Sequence, residues 1–122
     1  PIVEAAIREL EETGFLPLSE LKNQKRAMTA HILYTGIDDK LPATISKKAI
    51  DFIHHQIGFK NILMTDDISM KALKGDIGSR SEAALKAGCD LILHCNGQME
   101  EMVMIDSALP NFGNSLLKKL SS

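Results

Sequence analysis

The sequence predicts an α/β fold built on a parallel sheet, and three observations carry that prediction. Short apolar runs recur three times, at "AMTAHILY", "KNILMTD" and "DLILHC". Each leads through a polar or Gly-containing connection into a segment whose apolar residues have helical spacing. No low-complexity stretch or flexible linker interrupts the alternation, so the repeats belong to one α(βα)3 unit.

Taken in order, "IVEAAIRELEETG" places Ile2, Ala5, Ala6, Ile7 and Leu10 at helical spacing and stops at Gly14, which predicts a leading helix. "AMTAHILY" is the first strand, and "TGIDDKLPAT" after it is a loop by its Gly, Asp and Pro. "SKKAIDFIHHQIG" opens with Ser46 as N-cap, sets Ile50, Ile53 and Ile57 on one face and stops before Gly58, as a helix does. "KNILMTD" is the second strand, and "RSEAALKAGC" a helix ending at Gly88. "DLILHC" is the third strand, "MEEMVMIDSAL" the next helix, and "NFGNSLLKKLSS" a last short helix with a frayed end.

Whole-chain properties narrow the function. The 122 residues are one domain's worth of chain, with ordinary globular proportions of hydrophobic (44%) and charged (25%) residues, which argues against disorder. A formal charge of −2 with no basic run leaves no source for neutralising phosphates, so nucleic acid is not an expected partner. No apolar stretch approaches the roughly 20 residues of a membrane helix, and "PIVEAAIREL" carries charges where a signal peptide has its apolar region. No membrane association or export is therefore expected. Cys89 and Cys95, five residues apart with His94 beside the second, fit neither a zinc knuckle nor a C-x-x-C redox pair. Two buried, reduced thiols and a cytoplasmic location are expected.

In parallel α/β folds the chemistry collects at the carboxyl ends of the strands, because helices cover the sheet faces and leave that rim open. Asp66, His31 and Cys95 all fall at such strand ends. From the residues alone, Asp66 is either a rim carboxylate with a catalytic or metal-binding role or a solvated residue capping the next helix. A neighbouring Asp67 can take the capping role and leave Asp66 to face the rim. His54 and His55 lie on a helix with an Ile core face and read as surface or edge residues, and His94 reads as packed or hydrogen-bonded.

Four segments, "MTAHILY", "LPATIS", "GFKNILMTDDISMKAL" and "AALKAGCDLILHCN", resemble in order the signatures of the bacterial β-N-acetylhexosaminidases of glycoside hydrolase family 3. These are cytoplasmic enzymes that trim N-acetylglucosamine from peptidoglycan fragments during cell-wall recycling. The resemblance runs from about Ile2 to about Ile105. It implies that Asp66, the first Asp of the T-D-D segment, is the nucleophile of a retaining glycosidase. Asp67 and Met70 match the continuing loop, Met28 corresponds to a methionine near the sugar, and His31 is a further candidate sugar contact. No metal and no cofactor is implied.

The resemblance also implies a (β/α)8 barrel, which takes about 250 residues. Residues 1–122 are then one incomplete domain, the C-terminal portion of the barrel with about its last three βα units. The family's proton donor is a His assisted by an Asp in a mobile loop of pattern K-H-F-P-G-H-G-D, upstream of the helix matched by "IVEAAIREL". That pattern does not occur in this sequence, and none of His31, His54, His55 and His94 lies in it. The expected partners are an N-acetylglucosamine-containing muropeptide or aminosugar glycoside, the remaining half-barrel, and other copies of the chain through open sheet edges. The alternatives are a catalytically inactive remnant or half-barrel subunit, and a metal-binding or phospho-accepting α/β module.

Overall fold

The computed structural model describes residues 1–109 and 114–122. Its central feature is a parallel three-stranded sheet in the order β2 (Arg26–Met28), β4 (Ile62–Asp67), β5 (Leu91–Leu93). These are the three runs that the sequence marked as strands, with the Asp66 strand in the middle.

The first apolar run divides in two. Only Arg26–Met28 joins this sheet, while β3 (Leu33–Tyr34) pairs in parallel with β1 (Ile2–Val3) in a separate two-stranded sheet. The leading helix is shorter than its spacing predicts for the same reason. Ile2 and Val3 are drawn into that ladder, Ala6 is still extended (ψ 148), and α1 covers only Ile7–Glu12, followed by α2 (Leu16–Glu20). Pairing with a partner 31 residues away has overridden local periodicity.

The helix at Ser46 forms as predicted. Ser46 Oγ accepts from Ala49 N at 3.1 Å, capping α3 (Lys47–Phe52), which runs into a π turn, Ile53–Ile57. Gly58 ends that turn at φ 84, a conformation only glycine adopts without strain. The connection before α3 is organised by Asp38, whose carboxylate accepts from the amides of Lys40 and Leu41 and from the Ser46 hydroxyl. A one-turn 3-10 helix, Ala43–Ile45, sits between them.

After β4 the chain enters α4 (Ile77–Ala87), three residues earlier than the sequence predicts, because Asp76 caps it by accepting from Ser79 N and Ser79 Oγ. α4 ends at Gly88 as expected. β5 leads to α5 (Met99–Ala108), and α6 spans Asn114–Leu120; of the predicted last helix, Asn111, Phe112 and Gly113 lie outside the described residues. Lys119 on α6 pairs with Asp90, which in turn accepts from Leu63 N of β4.

The main core lies between the sheet and helices α3 and α4. It joins Ile50, Phe59, Leu63, Ile68, Leu73, Ile77, Ala84, Leu85, Ala87 and Cys89. A second cluster of Leu10, Phe15 and Ile57 anchors the N-terminal helices to the π turn. The carboxyl ends of β2, β4 and β5 therefore share one rim above a packed base.

Candidate active site

The central strand is irregular where it reaches the rim. Met64 pairs with Leu91 and Asp67 with Leu93, so three steps along β4 answer two along β5, and β4 bulges between them. The fully buried Thr65 fills the break by accepting Leu93 N on its Oγ1 at 2.9 Å. Bulges beside functional rims re-aim side chains, and Asp66 lies within this one. Asp66 stands at the carboxyl end of the central strand, where the sequence placed it. It is half-buried, its Oδ1 accepts Asp67 N at 2.8 Å, and Oδ2 accepts no hydrogen bond among the described residues.

Asp67 has a different task from the helix cap expected of it, since Asp76 caps α4. Its Oδ1 accepts from Ser69 N (3.1 Å), Ser69 Oγ (2.8 Å) and, across the rim, Cys95 N (3.1 Å); its Oδ2 accepts from Ser69 Oγ as well. Partial desolvation works to raise its pKa. The bonds from the Ser69 hydroxyl and the Ser69 and Cys95 amides, with the charge of His94, outweigh that and hold the carboxyl below the usual range. Asp67 thus stays ionised and ties the loop after β4 to the end of β5.

His31 lies beneath the rim and not on it. It is 4% exposed, and both ring nitrogens are engaged: Nδ1 with Thr44 Oγ1 and Nε2 with the Asp67 carbonyl, each at 2.8 Å. It offers no free nitrogen to a sugar. Met28 ends β2 in register with Met64, two residues before Asp66 on the neighbouring strand, and is 51% exposed.

On the β5 side of the rim His94 is packed and hydrogen-bonded, as the sequence suggests, with partners Glu101 and Asn96 that the sequence did not single out. His94 Nε2 meets Glu101 Oε2 at 2.7 Å, and Asn96 Nδ2 donates to the same oxygen. Those bonds, His94 first, lower the Glu101 carboxyl pKa. Arg80 of α4 reaches back to donate to the carbonyls of Gly75, Ile68 and Met70, holding the loop that follows Asp67. No sequence signal identifies Arg80, because its partners are defined only once α4 packs beside the loop. Of the two cysteines expected to be buried only Cys89 is; Cys95 lies past the end of β5 and is exposed, and its thiol pKa is raised by incomplete solvation and by the carboxylates of Asp67 and Asp66. Among the described residues no group of three His, Cys, Asp or Glu side chains is placed to hold a metal.

A parallel sheet whose central strand delivers a half-free carboxylate to the carboxyl-end rim invites comparison with glycosidase folds. Residues 1–116 match the model of the glycosyl hydrolase family 3 N-terminal domain. The chain belongs to glycosyl hydrolase family 3. A β-hexosaminidase of Actinobacillus succinogenes is 35% identical over 116 residues, covering 88% of this chain and 33% of that protein. A β-hexosaminidase of Tolumonas auensis is 35% identical over 104 residues, covering 80% of this chain and 31% of that one. The solved structure of a family 3 β-N-acetylglucosaminidase from Paenibacillus sp. str. FPU-7 superposes with a TM-score of 0.83 at 30% identity, covering 89% of this chain and 22% of that one. This family 3 chain therefore spans about a third of the curated relatives it matches.

Proposed function

We propose that this chain contributes the nucleophile side of a retaining β-N-acetylhexosaminidase, with Asp66 as the nucleophile. The observation that carries the reading is the division of labour between the adjacent carboxylates. Asp67 is committed to the Ser69 and Cys95 hydrogen bonds, whereas Asp66 Oδ2 is free among the described residues at the end of the central strand. Asp66 Oδ2 attacks the anomeric carbon and the glycosidic C–O bond breaks. The departing oxygen takes its proton from an acid that lies outside the motifs of this sequence. Water then attacks the anomeric carbon, and the C–O bond to Asp66 breaks to regenerate the carboxylate.

The proposed substrate is a terminal N-acetylglucosamine on a peptidoglycan-derived muropeptide or a related aminosugar glycoside. The relatives named β-hexosaminidase and the superposed β-N-acetylglucosaminidase support the sugar class. Met28 is a proposed sugar contact, supported by its exposure at the end of β2. A cytoplasmic location is supported by two unpaired cysteines. The outer edges of β2 and β5 carry no strand partner among the described residues, which supports completion of a (β/α)8 barrel by further barrel strands or pairing with a second copy.

A fluorinated N-acetylglucosaminyl fluoride tests the assignment, because fluoride leaves without protonation and the missing acid is bypassed. Peptide mass mapping of the trapped ester is expected to place it on Asp66, and Asp66→Asn to abolish it. An ester on Asp67, or undiminished labelling of Asp66→Asn, overturns the reading. With an unactivated aryl N-acetylglucosaminide the chain alone is expected to fall short of the complete enzyme by at least the roughly 10²–10⁴-fold credited to general acid catalysis.

A further inference from the structure

The last backbone bond from β2 to β4 is Thr29 N to Met64 O, at 2.8 Å. Beyond it the β2 chain turns away, and the carbonyl of Asp67 accepts one main-chain hydrogen bond, from Met70 N in its own loop at 3.1 Å, and among the described residues none from the β2 side. A carbonyl oxygen has two lone pairs, and His31 Nε2 fills the second place from the β2 side at 2.8 Å, the shorter of the two bonds. The same peptide group donates its other end, Ile68 N, to Leu93 O of β5, also at 2.8 Å. One peptide plane is thus held from both sides, by a side chain beyond β2 and by the backbone of β5. The adjoining amide of Asp67 points at Asp66 Oδ1.

The protons in this arrangement can be followed. A carbonyl oxygen only accepts, so His31 Nε2 carries the hydrogen. In the neutral ring Nδ1 is then an acceptor, and the Thr44 hydroxyl must donate to it. Thr44 Oγ1 in turn accepts from Thr29 Oγ1 at 2.9 Å. All three side chains are at least nine-tenths buried, so the chain of donors has no competition from bulk water.

We infer that His31 is a positioning residue: in its Nε2–H tautomer, set by Thr44 and Thr29, it fixes the Asp67–Ile68 peptide and through it the orientation of the Asp66 carboxylate. The inference rests on the reading of Asp66 as nucleophile, but its structural half is measurable without any activity. A hydrophobic side chain would fill the space and leave the carbonyl with only the Met70 amide, a donor from its own loop that does not tie it to the chain beyond β2. Glutamine can present a donor near the Nε2 position and restore that bond while losing the acceptor at Nδ1.

The test uses the 122-residue chain, labelled with ¹⁵N. The His31 ring is expected to show a protonated Nε2 and a bare Nδ1. In His31→Leu, hydrogen exchange at Asp67 and Ile68 should rise about tenfold or more, the equivalent of one lost hydrogen bond, while Ile62 and Leu63 hold their protection. His31→Gln should recover most of the loss. Labelling at Asp66 by the glycosyl fluoride should slow about tenfold in His31→Leu and recover in His31→Gln, with affinity for free N-acetylglucosamine unchanged. A protonated Nδ1 with a bare Nε2 in the wild-type ring, loss of protection spread evenly along β4, or unchanged labelling in a folded His31→Leu overturns the inference. Absence of label in the wild type overturns the nucleophile reading instead, and the exchange data still decide whether His31 holds the peptide.

Discussion

Replacing Asp67 with asparagine removes a charge and little else, and the structure sets the size of the effect. The amide oxygen can still accept from Ser69 N and Cys95 N, but it does so without charge assistance, and the Oδ2 contact to the Ser69 hydroxyl is replaced by an NH2 group. Hydrogen bonds to charged groups contribute about 1.5–3 kcal/mol against about 0.5–1.5 for neutral ones, so two weakened backbone bonds come to about 2 kcal/mol. Asp67 is half-exposed, and solvent screening brings the expectation to about 1 kcal/mol at pH 7. The folded pKa of Asp67 is depressed, so its stabilisation is fully present above the unfolded value of about 3.9 and is lost as pH falls through the lower folded value. Urea unfolding of both proteins at several pH values between 7 and 3 should therefore show a gap that narrows only on the acid side. A gap that stays constant to pH 3, or an Asp67→Asn protein as stable as the wild type at pH 7, would show that the ionised carboxylate is not what joins the two loops.

Two further outcomes follow from the same geometry. In Gly88→Ala the new Cβ would lie 2.8 Å from Cγ2 of the buried Ile50, at a φ of +123, so steric crowding and backbone strain together should cost about 2–4 kcal/mol, read as a lower urea midpoint with an unchanged slope. Burial, reinforced by the charge of Asp90, pushes the Cys89 thiol up to about 12, so a thiol reagent near pH 8 should leave Cys89 intact until the chain unfolds while reacting slowly with exposed Cys95. Asp67→Asn should accelerate the Cys95 reaction, because it removes a negative charge that disfavours the thiolate, and an unchanged rate would contradict that electrostatic link.

The parts of the fold legible in the sequence are those fixed by neighbours in the chain. Ser46 bonds to an amide three residues on, Gly58 and Gly88 end their helices through their own backbone angles, and each of the three short apolar runs contributes a strand to the central sheet. Asp66 was placed correctly because its position depends only on where β4 ends. What the sequence could not display is set by distant partners. Ile2 and Val3 become a strand only because Leu33 and Tyr34 lie beside them. Asp67 turns from a supposed helix cap into a tie because Cys95 arrives from 28 residues away. His31 looked like a rim residue by its place after "AMTA", yet β2 stops at Met28 and the ring turns inward to the Asp67 carbonyl. The bulge that aims Asp66 is invisible in "NILMTDD", because a threonine standing in for a backbone acceptor looks the same as one in a regular strand.

The two adjacent aspartates now have separable physical jobs, and their order along the chain matters. A nucleophilic carboxylate needs one oxygen with an unshared lone pair directed at the electrophile and the other held still. Asp66 meets both conditions, since Oδ1 is pinned by the following amide and Oδ2 has no partner among the described residues. Asp67 fails the first, because both of its oxygens already accept hydrogen bonds. Its Oδ1 accepts three hydrogen bonds, and using either oxygen for attack would release the Ser69 turn or the Cys95 amide that keeps the rim together. The tie is nevertheless what makes Asp66 usable, because residue 67 also supplies the amide that pins Oδ1 and the carbonyl that His31 grips. All of these partners, from His31 and Thr44 before β4 to Leu93 and Cys95 after it, lie within this chain. The carboxylate is therefore oriented by the β2, β4 and β5 neighbourhood itself, and the role proposed for Asp66 draws its positioning from residues of this chain.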